Sequence, residues 1–304
     1  MFNTSKKITI GSRKSSLARK QVDIFKDIFF KKYKNLKKDF FKEIYITTEG
    51  DQILDRKLSD VGNKSLFTKE IDQAQLDHKI DISIHSLKDL PYNLPKGLFI
   101  CSYLRREDYR DAIVSRSNLC LSKLRKGSVI GTSSIRREIQ LKNLRPDLEI
   151  RFIRGNVETR INKVFEGEYD ATLLAMAGLN RLGIKKNVKP LSTQEFLPAV
   201  GQGIIAVIVR EDDEEIIKLL NVISDKQTNI QAICERSFMN GIDGSCQMPL
   251  GALGIISDKN KLNFSYFAAN RDGSILKTGK KIMLIENATK ECFELGKKMR
   301  EMLY

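Results

Sequence analysis

The chain has 304 residues, enough for two or three domains of roughly 100–200 residues each, and its 41% hydrophobic and 30% charged residues exclude a disordered or fibrous chain. No apolar run approaches the roughly 18 residues of a membrane span, and the opening MFNTSKKITIGSRKSS lacks the apolar stretch of a secretory signal, so a cytoplasmic protein is expected. The net charge of +15 points to an anionic partner such as nucleic acid, a membrane surface or a polycarboxylate, while the lysine excess beside Ile, Asn and Phe also fits compositional drift.

In chain order, a short strand is expected at 8–10. A helix follows over 15–30, where Leu17, Val22, Phe25 and Phe29 recur at helical spacing. Residues 44–47 read as a strand and 69–77 as a helix with Thr68 as N-cap. DISIH at 81–85 and LFICSYL at 98–104 read as strands. The alternation continues through DAIVS (111–115), SVIGT (128–132), a helix from Ser134, EIRFIR (149–154), a helix from Val157, ATLLA (171–175) and a helix ending at Leu182. GIIAVIVR (203–210) has the composition of a buried strand. Such alternation predicts mainly parallel α/β sheets. The pattern then changes: a helix over 228–239, strands at 251–256, 262–269 and 280–285 with NRDG (270–273) as a hairpin turn, and a closing helix over 288–303. That order predicts a small α+β domain.

Four segments share one design, a strand end followed by Gly or hydroxyl residues, an arginine and a helix start. They are ITIGSRKSS (Arg13, Ser15), VIGTSSIRRE (Ser134, Arg136, Arg137), RFIRGNVETR (Arg154, Arg160) and LAMAGLNRLG (Arg181). Exposed N–H groups and the helix dipole favour an anion at such a junction, and the guanidinium fork grips a carboxylate or phosphate through two bonds. One segment alone reads as a capped helix with a surface arginine; four together indicate a ligand with several negative charges. None matches a GxGxxG or P-loop fingerprint. In DISIHSLKDLP, His85, Ser86, Lys88 and Asp89 cluster at a strand end, an acid beside bases as proton transfer requires, or simply a turn with a surface ion pair. Residues 55–70 read as a loop able to cover a site. Cys101, Cys120, Cys234, Cys246 and Cys292 are scattered and odd in number, which argues against disulfides and metal sites. Four of them read as core residues, and Cys246, in the turn-like GSCQMP, does not.

SRKSSLA, VGNKSLFTKEI, ISIHSLKDLP, REDYRDAIVS, GTSSIRR, RPDLEIRFIRGNVETR, LAMAGLNRLG, LPAVGQG, AICERSFM and GSCQMPLGA occur in that order. Together they resemble the porphobilinogen deaminase (hydroxymethylbilane synthase) family from end to end. The resemblance implies an α/β fold with two doubly wound, type II periplasmic-binding-protein-like domains, 1–104 with 203–224 and 105–202, and a small α+β C-terminal domain, 225–304. It implies a transferase of haem and tetrapyrrole biosynthesis that polymerises four porphobilinogen molecules head to tail on a dipyrromethane cofactor, releasing ammonia and hydroxymethylbilane. The cofactor's thioether cysteine matches Cys246, a good nucleophile toward an electrophilic methylene if deprotonated.

By the same resemblance the catalytic carboxylate is Asp89, which supports pyrrole N–H groups and developing positive charge, with Lys88 beside it favouring its ionised form. Lys88, Ser134, Arg136, Arg137 and Asp89 are implied cofactor contacts. Arg13, Ser15, Gln21, Lys64, Phe67, Arg154, Arg160, Arg181 and Gln202 are implied substrate contacts, with Phe67 stacking on a ring, and Asp51 is a further cleft position. No metal, nucleic acid or membrane is implied. A monomer is, with transient contact to uroporphyrinogen-III synthase. Departures from the family pattern are Ser245 before the cysteine, Asp60 and Ser65 in the loop, Glu49 in EGD and Ser16 where proline is frequent. The rival readings are a non-enzymatic polycarboxylate-binding protein of the same fold and a nucleic-acid-binding protein.

Overall fold

The computed structural model describes residues 7–53, 66–243 and 248–303. Among these, three sheets form. β1 (Ile8–Arg13) runs on past Ile10 and carries Ser12 and Arg13 to the end of the strand. It pairs in parallel with β2 (Phe41–Ile46) and β3 (Ile82–Ser86), and β4 (Leu98–Tyr103) lies further along the same sheet. The chain then builds a second sheet from β5 (Asp111–Ser115), β6 (Val129–Gly131), β7 (Glu149–Arg151), β8 (Ala171–Ala175) and β9 (Val188–Pro190) in the order β7-β6-β8-β5-β9. It returns as β10 (Ile205–Arg210), which enters the first sheet between β3 and β4.

Both sheets are parallel apart from one strand each. β10 runs antiparallel to β3 and β4, and β5 antiparallel to β8 and β9. Strand and helix alternation does not reveal these reversals; the crossings explain them. β4 ends at the edge where the two sheets face each other, so a chain crossing there starts β5 at that edge and runs outward. The return into β10 repeats the geometry. As a result Asp111, the first residue of β5, sits at the junction and not at the outer rim.

α1 (Ser16–Lys32) starts at Ser15, whose hydroxyl accepts from the Ala18 N–H at 3.3 Å, and buries Ala18, Gln21, Val22, Phe25 and Phe29. Phe25, Phe29, Phe40 and Phe41 interlock with contacting ring centroids 4.8–6.0 Å apart, and truncating fully buried Phe29 to Ala costs about 3–5 kcal/mol. The short α2 (Glu49–Gln52) carries a Thr48–Asp51 capping box. Thr68 is the N-cap residue of α3 (Lys69–Leu76), as expected from the sequence, although its side chain makes no capping bond. On the second sheet, α4 (Ile135–Leu144), α5 (Val157–Phe165) and α6 (Met176–Arg181) follow β6, β7 and β8. α7 (Glu214–Asn221) was not expected; its lead-in is acidic and loop-like, yet Ile216, Leu219 and Leu220 are buried against the first sheet's core.

The third unit is an antiparallel meander of β11 (Leu250–Asp258), β12 (Lys261–Ala269) and β13 (Leu276–Leu284), with α8 (Lys226–Gly241) and α9 (Ile285–Leu303). The expected turn at 270–273 is present, with Gly273 at φ +79°. α8 and α9 approach so closely that a Cβ on Gly241 would lie 2.1 Å from the Phe293 carbonyl oxygen. Cys101, Cys234 and Cys292 are buried, whereas Cys120, read from sequence as core, is half-buried beside the Ser122 hydroxyl.

Candidate active site

The ends of β1, β3, β6 and β8 open onto one cleft of about 1130 Å³, larger than the roughly 300–1,000 Å³ usual for a single small ligand. Among the described residues, eleven cationic side chains line it (Arg13, Lys14, Lys88, Arg136, Arg137, Lys142, Arg154, Arg160, Lys163, Arg181, Arg271). They face four acidic ones (Asp51, Asp89, Glu138, Asp272). The four strand–arginine–helix segments therefore converge on one space.

At the end of β1, Arg13 pairs with Asp51, its Nε 3.3 Å from Oδ2, and its guanidinium lies 4.3 Å from the centroid of the Phe67 ring. Burial opposes the Asp51 charge, but the hydrogen bonds and charge of Arg13 outweigh it and hold the carboxyl below its ordinary range. β3 leads into a 3-10 turn, Leu87–Asp89, that presents Lys88 and Asp89 to the cleft. The Leu87 N–H donates to the Ile204 carbonyl at 3.0 Å, and the Leu87 side chain leaves no room for a Cβ on Gly201, whose φ is +69°. Desolvation pulls the Lys88 ammonium down to about 8, against the charge of Asp89, which favours the protonated form.

On the second sheet, Ser134 caps α4 by accepting from the Arg137 N–H at 3.5 Å. Arg136 and Arg137 are both buried and share the carboxylate of Asp111, at 2.8 Å and 2.7 Å. Burial alone would raise the Asp111 pKa; the two guanidinium charges overcome it and hold the group well below the carboxylate range. Arg154 donates to the Ile53 carbonyl at 2.8 Å, Arg160 to Gly155 at 2.8 Å and Arg181 to Gly203 at 2.7 Å. Desolvation lowers all three, Arg160 and Arg181 to about 10; in Arg160 the charges of Arg137 and Arg154 add to it. They remain protonated at neutral pH and have only backbone carbonyls as direct partners among the described residues. Crowded, desolvated cations of this kind gain strongly from a ligand that brings carboxylates.

The structure thus brings together Arg13, Ser15, Phe67, Lys88, Asp89, Ser134, Arg136, Arg137, Arg154, Arg160, Arg181 and Gln202. Gln202 is fully buried and its amide donates to Asp111 at 3.1 Å and to the Tyr109 carbonyl at 2.9 Å, so it backs the arginine pair. Gln21 does not reach the cleft. It is buried under α1 and donates to the Ser86 hydroxyl at 2.7 Å, supporting the turn from behind. His85 is no acid–base partner of Asp89: it is buried outside the cleft lining, and desolvation followed by the Arg13 charge drives its imidazole down to about 3. Lys64, Cys246 and residues 55–65 of the loop expected over 55–70 lie outside the described residues, and the end of that span already belongs to α3, which starts at Lys69. Asp111 was missed from sequence. Its signal was an acid opening an otherwise apolar strand, a position that burial makes untenable without cations nearby.

The strand orders and the shared cleft define an α/β protein of two five-stranded sheets whose common cleft is fitted to a ligand with many negative charges. A family model described as porphobilinogen deaminase, dipyromethane cofactor binding domain, matches residues 8–218, and one for the porphobilinogen deaminase C-terminal domain matches 229–304. Porphobilinogen deaminase of Bacillus pumilus is 45% identical over 88% of this chain and 85% of that protein, and the one of Bacillus subtilis 43% identical over the same shares. The chain belongs to the porphobilinogen deaminase family. A similar solved structure is an ancestral cationic amino acid solute-binding protein, with TM-score 0.43 and 15% identity over 72% of this chain and 88% of that one.

The dipyrromethane cofactor of this family carries acetate and propionate groups, and the donor set fits it: the guanidinium groups of Arg154, Arg160 and Arg181, bonded among the described residues only to backbone carbonyls, line the same cleft as the capped N-terminus of α4 and match several carboxylates on one ligand.

Proposed function

We propose that this chain is hydroxymethylbilane synthase, an enzyme that joins four porphobilinogen molecules head to tail on a dipyrromethane primer attached through Cys246. The observation that supports the reading best is the Asp89 carboxylate in a cleft where, among the described residues, eleven cationic side chains, with Arg160 and Arg181 among the desolvated ones, outnumber four acidic ones. When bound, the primer supplies the nucleophilic pyrrole carbon to which each new ring is joined.

The protein's own groups have separable tasks. Ser134, Arg136, Arg137 and Lys88 hold the primer's carboxylates, and Arg13, Ser15, Arg154, Arg160 and Arg181 receive those of the incoming porphobilinogen. Loss of ammonia leaves the substrate methylene electron-poor and its ring cationic. The Asp89 carboxylate, in a site crowded with positive charge, accepts the pyrrole N–H and stabilises that cation; a water-mediated or direct proton transfer at its Oδ atoms completes the substitution. Each added unit brings two carboxylates, so the excess of cations keeps the lengthening product bound until release. The division into units 1–104 with 203–224, 105–202 and 225–304, a monomeric state, a cytoplasmic location and a transient contact with uroporphyrinogen-III synthase belong to the same proposal.

Intact-mass measurement of the purified protein, followed by Ehrlich's reagent and a porphobilinogen-consumption assay, tests it. A covalent dipyrrole adduct that disappears in Cys246→Ala supports the reading; an unmodified chain that consumes no porphobilinogen sinks it and leaves a polycarboxylate-binding protein.

A further inference from the structure

Arg236, on α8 of the third unit, is buried, with 6% of its surface exposed, and has no ion-pair partner among the described residues. Its Nη2 donates to two successive carbonyls, Pro91 at 2.9 Å and Tyr92 at 2.6 Å, and its guanidinium lies 5.4 Å from the Tyr92 ring centroid. Nη1 is buried without a partner. Desolvation lowers the group's pKa, so the charge is held at a cost. A buried cation spent on two carbonyls is a poor device for stability, since a well-packed apolar side chain often does as well. The segment it grips begins two residues after Asp89.

We propose that Arg236 is a positioning residue that sets the placement of Asp89, by fixing the 91–92 backbone against the third unit. The Asp89 turn is then held on three sides. Gln21 holds Ser86 at its entry, the Ile204 carbonyl binds the Leu87 N–H behind it, and Arg236 fixes its exit. The first two anchors come from the first unit and the second crossing; the third comes from the helix that leads in sequence to Cys246. Arg236 is absent from the cleft lining, so its loss displaces the carboxylate without removing a carboxylate-binding group. The inference rests on the function proposed above.

The test uses the holoenzyme and two variants, Arg236→Met, which keeps the stem's packing, and Arg236→Lys, which keeps one charge-assisted donor. Arg236→Met is expected to retain the adduct mass and a near-parental melting temperature while kcat falls by about 10- to 100-fold, as small misplacements of catalytic groups do, with KM nearly unchanged. Arg236→Lys recovers much of that loss. If Arg236→Met fails to fold, Arg236→Gln, which keeps only an uncharged donor on a shorter stem, takes its place and is read through the same split of kcat against KM. Full turnover in a loaded, folded Arg236→Met, or in the fallback case in Arg236→Gln, overturns the proposal, as does a loss of activity that only tracks loss of folded protein. A parental protein without adduct or activity instead overturns the functional reading on which this one stands.

Discussion

Asp111→Asn isolates the electrostatic centre of the cleft. Asp111 is fully buried and shared by Arg136 and Arg137, with Gln202 completing its contacts. Asparagine preserves the shape but leaves two buried guanidinium groups facing each other with no negative charge between them. Removing one partner of a buried ion pair costs about 3–5 kcal/mol, and here one carboxylate serves two cations, which places the cost at the upper end. With a shift of about 2–4 °C per kcal/mol for chains of this order of size, the melting temperature of the cofactor-free protein falls by roughly 10–20 °C. The folded-state pKa of Asp111 is depressed, so its contribution is complete above its unfolded value near 3.9 and is lost as pH falls through the folded one. The difference between parent and variant is therefore constant from pH 5 to 8 and shrinks only in stronger acid. Differential scanning calorimetry across that range measures it, and adding a polycarboxylate such as benzenehexacarboxylate narrows the gap by replacing the lost charge. A variant that melts with the parent at pH 7, or a gap that opens below pH 4, refutes the shared-carboxylate account.

Asp89→Asn is expected to keep fold and cofactor while losing nearly all turnover, read as intact mass beside a rate of bilane formation; a near-normal rate removes Asp89 from its role. Because Lys88 titrates at about 8, kcat/KM is expected to decline above that pH as the cleft loses a charge, and Lys88→Arg moves the alkaline limb upward; an unchanged pH profile rejects this. Glu235, fully buried, accepts from Arg106 at 2.6 Å and from the Gly201 and Gly254 N–H groups at 2.8 and 2.9 Å, joining both crossings to the third unit. Glu235→Gln should cost about 3–5 kcal/mol in chemical denaturation, and a loss under 1 kcal/mol would contradict the assigned coupling.

Much of this arrangement was legible in the sequence because strand ends and helix starts leave local marks. Ser15 and Ser134 were readable as helix starts, and the arginines beside them as anion-binding groups, since both signals lie within a few residues. The parts that escaped depend on distant partners. β5 and β10 reverse direction because of where the crossings enter, which no local pattern encodes. Gln21 carries a family position in a cleft motif, yet it supports Ser86 from outside the cleft lining, whereas Gln202 lines the cleft and bonds Asp111. α7 hid behind an acidic lead-in, although Glu214 and Glu215 in its first turn suit a helix start and Lys218 pairs with Glu214; its Ile216, Leu219 and Leu220 are buried.

The pairing of some arginines and not others follows from a ligand that grows. If every cation in the cleft had its own carboxylate, as Arg13 has Asp51, each new acetate or propionate would have to displace a protein group and the net gain would vanish. If none were paired, the empty cleft would press many desolvated charges together and oppose folding. Arg136 and Arg137 sharing one carboxylate is an intermediate solution: the pair keeps a net positive charge for a ligand and a fixed geometry without one. Arg154, Arg160 and Arg181, held only by carbonyl oxygens that compete weakly, stay available for carboxylates that arrive later. On that logic, replacing Gly155 or Gly203 would reshape the backbone that parks these arginines. Both have positive φ, +118° and +91°, and a Cβ on Gly203 would fall 2.6 Å from the Glu107 carbonyl oxygen, so the resting places of Arg160 and Arg181 are fixed by positions that favour glycine.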